Sequence, residues 1–97
     1  KLIHQKNLPR ENALRGYQQA RDLVATIAPF NLELLSVGIA SIGEGVTTNG
    51  KAGPFLGKLR LAVTGQKVSP PVYEAMLALG QARTVARLDA VIGAFGE

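Results

Sequence analysis

Residues 55–65 read FLGKLRLAVTG, and the conformation of this stretch decides whether the chain is wholly helical or carries a strand. Leu59, Leu61 and Val63 alternate as one face of a strand would. Phe55 or Leu56, Leu59, Ala62 and Val63 instead recur at the three- to four-residue spacing of a helix. A run this short fits both patterns, and Gly65 ends it in either case.

The segments on each side read as helices. Pro9 suits a first helical turn, with Glu11 behind it to complement the dipole. Ala13, Leu14, Tyr17, Ala20, Val24, Ile27 and Ala28 then predict a helix to about Ala28, closed by Pro29. Asn31 is the expected N-cap of a second helix, with Leu34, Leu35, Gly38, Ile39 and Ile42 on one face. Gly38 and Gly43 either fray that helix or bring a neighbour close, and Gly45 to Pro54 is expected to be a loop. Ser69 followed by Pro70 and Pro71 reads as an N-cap and first turn; Val72, Ala75, Met76 and Leu79 supply the apolar face, and Gly80 the stop. Val85, Leu88, Val91 or Ile92, and Phe95 stripe a final helix. The 97 residues are expected to form a single domain, 1–97, with 1–8 a tail or the end of a truncated helix. The chain opens on Lys1, which is expected of a fragment or a processed product.

The positive charge is unevenly placed. Lys51, Lys58, Arg60 and Lys67 lie within residues 45–69 without a single acid among them, so an anionic partner is expected there. Gly45, Gly50 and Lys51 imitate the start of a phosphate-binding loop, but Ala52 stands where a magnesium-ligating hydroxyl is needed. That loop would also follow a buried strand, and here it follows a glycine-broken helical pattern. With no cysteine, a disulfide framework, a thiolate metal site and a cysteine nucleophile are excluded, in keeping with a cytoplasmic protein. His4 stands alone, the carboxylates are dispersed singly, and no apolar run is long enough to span a membrane. The residues by themselves suggest no catalytic or metal site.

LRLAVTG (Leu59–Gly65), SPPVYEAMLALG (Ser69–Gly80) and RTVARLDAVI (Arg83–Ile92), in that order and spacing, resemble the C-terminal anticodon-binding domain of bacterial-type glutamyl-tRNA synthetases. The resemblance covers about residues 50–93 and departs from the family pattern twice. Lys58 stands where a proline is usual, and Gln81-Ala82 where Lys-Glu is common.

This resemblance implies an all-α fold, a small helical bundle, and therefore a helix at 55–65. It implies that Arg60 faces the anticodon bases, with Ser69, Pro70 and Val72 lining the same pocket. General chemistry agrees: unstacked loop bases can be read on their edges, and a guanidinium offers a planar fork of donors to them. Lys51, Lys58 and Lys67 would hold phosphates without reading sequence. The implied partners are a glutamate-accepting tRNA, through its anticodon loop, and the catalytic domain of the same parent enzyme. ATP, magnesium and glutamate are implied for that parent. This chain has neither of its ATP-binding signatures, so no cofactor is expected here, and a monomer is. The alternative is a helical protein-interaction module with an incidental basic loop, in which Arg60 simply pairs with a carboxylate such as Glu74.

Overall fold

The computed structural model describes residues 8–65 and 71–95. These form five helices and no strand: α1 Arg10–Thr26, α2 Leu32–Val46, α3 Gly53–Thr64, α4 Val72–Leu79 and α5 Gln81–Phe95. The ambiguous stretch is the body of α3. Phe55, Leu59 and Val63, four residues apart, are wholly buried, whereas Leu61 is 42 % exposed. A strand would have put Leu61 on the same face as Leu59 and Val63. Gly65 stops the helix in the left-handed conformation (φ 75°), and its N–H donates to the Leu61 carbonyl at 2.7 Å.

Several boundaries differ from the sequence expectation. Helix α1 ends at Thr26 rather than near Ala28, because Ile27 is already extended (ψ 135°) ahead of the cis Ala28–Pro29 bond. Asn31 caps α2 as expected, its Oδ1 accepting from the Leu34 N–H at 2.9 Å. Helix α2 runs on to Val46, which is core, so the expected loop at 45–54 shrinks to residues 47–52. The cap position of α4 is Pro71, so the expected N-cap at Ser69 is two residues too early. Leu8, expected to belong to a tail, is only 3 % exposed and packs into the core.

Helix α1 is the central element, lying chiefly against α5 and α2. Its Tyr17 ring meets Phe55 of α3 at 5.9 Å between centroids and Phe95 of α5 edge-on at 5.6 Å. Phe55 fits because position 16 has no side chain. A Cβ built on Gly16 would lie 2.5 Å from Phe55 Cε1 and 3.0 Å from its Cδ1. Gly38 and Gly43 also serve close packing, against the Leu23 side chain and the Ala52 backbone.

Side chains borrowed from other helices add hydrogen bonds to carbonyls at four helix ends, where intrahelical donors run out. Asn12 of α1 donates to Val46 O of α2 at 2.8 Å. Gln81 of α5 donates to Val24 O at 2.7 Å and Ile27 O at 3.1 Å, at the end of α1. Fully buried Thr84 shares its one hydroxyl proton between Gly80 O (2.9 Å), just past α4, and Met76 O (3.2 Å) in its last turn. Arg87 donates to Val63 O of α3 at 2.7 Å.

Two glycine substitutions should therefore have opposite signs. Gly16→Ala gains about 1 kcal/mol of helix propensity, but it drives a methyl into a fully buried ring, at about 1–3 kcal/mol. Net destabilisation is expected, seen as a lowered Tm in thermal denaturation. Gly57→Ala, exposed on α3 with nothing within 4 Å of its added Cβ, should stabilise by about 0.5–1 kcal/mol. Equal Tm changes at the two positions would refute the Phe55 seat.

Candidate functional site

The site is built around the C-terminal half of α3. Lys58 and Arg60 flank buried Leu59, so each lies partly turned out of the core, and both are half-buried. The Arg60 Nε is buried and has no hydrogen-bond partner among the described residues. A buried unpaired donor costs about 1–3 kcal/mol, so this atom is a source of destabilisation as long as it stays unpaired. Among the described residues the ion pairs are Arg21–Asp22 and Arg21–Asp89, so the pairing of Arg60 with Glu74 is not formed. One turn on, the Thr64 hydroxyl donates back to the Arg60 carbonyl at 2.8 Å.

The basic loop is shorter and more ordered by its own contacts than the sequence suggests. Thr47 Oγ1 donates to the Lys51 carbonyl at 2.8 Å, and the Lys51 N–H donates to Asn49 Oδ1 at 3.1 Å. Gly50 takes the positive φ (72°) that the turn needs. The Lys51 side chain is exposed. The loop follows α2, not a strand, and its lysine N–H is already spent on Asn49, so it does not have the architecture of a phosphate-binding loop. Among the described residues no group of three or more His, Asp or Glu side chains is placed to hold a metal.

The structure therefore puts Lys58 and Arg60 on opposite flanks of α3, about 200° apart around the helix, and leaves Lys51 ahead of it. Val72, expected to line the pocket, packs into the core at 3 % exposed, at the start of α4. Lys67, Ser69 and Pro70 lie outside the described residues.

Sequence reasoning did not single out Arg83 and Arg87. Both are exposed on α5, and with Ala86 and Ala90 they line an open groove of ≈ 250 Å³. Arg87 reaches across to Val63 O, three residues beyond Arg60, which joins this groove to the end of α3. The available signal was two arginines four residues apart, with alanines at 86 and 90 on the same helical face. Asp89, the acid on the same helix, is turned towards α1, where its hydrogen bond to Arg21 (2.9 Å) is the main influence raising the Arg21 pKa, followed by that of Asp22.

Comparison with known proteins agrees with this architecture. Residues 1–92 match the family model described as "Anticodon binding domain". The glutamate–tRNA ligase of Roseiflexus castenholzii is 34 % identical over 87 residues, which are 90 % of this chain and 17 % of that protein. The ligase of Roseiflexus sp. (strain RS-1) is 32 % identical over 89 residues, covering 92 % of this chain and 17 % of the relative. That of Clavibacter michiganensis is 50 % identical over a shorter stretch of 40 residues, 41 % of this chain and 8 % of the relative. The chain thus spans a small part of the length of the curated relatives it matches. No solved structure gives a significant match. No helix among the described residues is long and apolar enough to cross a membrane. Matched along nearly its whole length and all-helical where described, the chain belongs to the anticodon-binding domain family, with glutamate–tRNA ligases as its relatives.

Proposed function

We propose that the chain reads the anticodon loop of a glutamate-accepting tRNA, as one module of a glutamate–tRNA ligase whose catalytic domain lies outside it. The observation that carries this reading is Arg60. Its guanidinium belongs to the C-terminal half of α3; among the described residues it makes no ion pair, and its Nε is desolvated without a partner. A base edge with carbonyl or ring-nitrogen acceptors would satisfy such a fork, and the half-buried setting would sharpen discrimination against a base that leaves it unpaired. Ser69 and Pro70 would line the same pocket, while Val72 fixes the start of α4 beside them. Lys51, Lys58 and Lys67 would hold phosphates. In this reading ATP, magnesium and glutamate act in the catalytic part of the parent, and the chain works as a monomer in the cytoplasm.

A second reading rests on α2. Leu34 and Val37, three residues apart on one helical face, are 39 % and 66 % exposed. Such a face suits contact with another protein surface, the parent's own catalytic part included. Binding to a protein that salt does not weaken, without affinity for RNA, would favour it.

The deciding experiment is binding of the chain to glutamate-accepting tRNA and to anticodon-substituted versions. Anticodon changes should weaken binding, by about 1–3 kcal/mol for a lost bidentate contact. Arg60→Ala should abolish that difference. Equal binding of all the RNAs by the unaltered chain would refute the reading. A companion prediction separates function from fold. Arg60→Met keeps an apolar stem and removes a buried orphan donor, so thermal denaturation should give a Tm unchanged or raised. A Tm lowered by several degrees would show that Arg60 is there for stability.

A further inference from the structure

The groove on α5 has no part in the reading above. Arg83 and Arg87 stand four residues apart, on one face, and the groove they line is floored by the small side chains of Ala86 and Ala90. Two like charges at this spacing repel. Neither arginine forms an ion pair among the described residues, and Asp89 is engaged with Arg21 on the α1 side. The helix thus keeps its positive charges on the groove and its acid away from it. Arg87 is also fixed. Its Nη1 donates to Val63 O at 2.7 Å, which holds the guanidinium in one place and leaves its other N–H groups available.

We propose that Arg83 and Arg87 form a phosphodiester subsite for the backbone of the RNA whose bases meet Arg60. The inference rests on the anticodon reading and deepens it. Each guanidinium can meet phosphate oxygens with two parallel N–H donors, and the small Ala86 and Ala90 beside them let a backbone approach closely. The bond to Val63 places this subsite beside the last turn of α3, within three residues of Arg60. Arg87 serves twice: it cancels the negative pole of α3, which would repel a polyanion, and it offers its remaining donors to the phosphate.

The test is binding of the chain to a glutamate-accepting tRNA transcript over a salt series, for the unaltered protein, Arg83→Gln, Arg83→Lys and Arg87→Gln. Arg83 makes no hydrogen bond within the described fold, so Arg83→Gln should leave Tm unchanged. Its affinity should fall up to about fivefold at low salt, and equally for all anticodon variants. The slope of log K against log salt should become shallower by about 0.7–0.9. Arg83→Lys should restore the slope. Arg87→Gln should give the same shallower slope together with a lowered Tm. An unchanged slope in Arg83→Gln, with anticodon discrimination intact in the unaltered chain, overturns the subsite and leaves the anticodon reading standing. Loss of discrimination instead of uniform weakening overturns it too, because Arg83 would then read bases. If the unaltered chain binds no RNA or binds all equally, the anticodon reading falls and the subsite with it.

Discussion

The arrangement of the domain depends on Phe55 lying over Gly16 and against Tyr17. The ring is wholly buried, and the missing Cβ at position 16 sets how closely α3 approaches α1. Once Phe55 is seated, Leu59 and Val63 follow it down the same stripe of α3, one turn and two turns on. Arg60, rotated by about 100° from Leu59, must then leave the core at the helix flank. The Arg60 guanidinium is thus aimed by an aromatic contact more than a turn away from it. Tyr17 extends the same contact to Phe95, whose ring and carbonyl are in turn held by Arg10, with the guanidinium 4.6 Å from the ring centroid.

Helix α5 locks what Phe55 positions. Gln81, Thr84 and Arg87 are spaced by three residues, so each is rotated by about 60° from the one before it. That slow sweep carries three donors across three neighbours, the ends of α1, α4 and α3 in turn. Each reaches carbonyls that their own helix cannot satisfy in full, where an unmet acceptor would be costly in a buried setting. Gln81 is also one of the two places where the sequence departs from the family pattern. Its amide bonds two carbonyls at once, so the departure has a structural use here.

What could be read from the sequence was what local chemistry determines. Asn31, Gly65 and Gly80 announced their caps and stops because a side-chain acceptor or a positive φ is a property of the residue itself. The helical stripes of α1 and α5 were legible for the same reason. The helical state of 55–65 was not legible from its pattern, and only the family resemblance chose it. Boundaries set by tertiary packing were missed: Val46 stays helical because it is core, and Leu8 is buried because the bundle has room for it. Gly16 gave no signal because its role belongs to Phe55, far along the chain. In the candidate site, Arg60 was proposed from its motif. Arg87 was not, since its meaning comes from a carbonyl on another helix.

The end of α3 is an unpromising place to receive RNA. A helix C-terminus carries roughly half a negative charge, and a phosphate brought near it is repelled. Helix N-termini are the usual anion sites for this reason. A polyanion can be accepted here only if the pole is cancelled by groups that remain in place when the ligand leaves. A lysine on a long free stem would meet this requirement poorly, because fixing it costs side-chain entropy at each binding event. Arg87 has met that cost in folding, since its bond to Val63 O is part of the bundle. The pole is therefore neutralised within the fold itself, and in the proposed reading Arg60 is left to offer its guanidinium, with Nε unpartnered among the described residues, to a base. The proposed division of labour follows from electrostatics: one arginine would make the helix end tolerable to an anion, and the other would give the contact its selectivity.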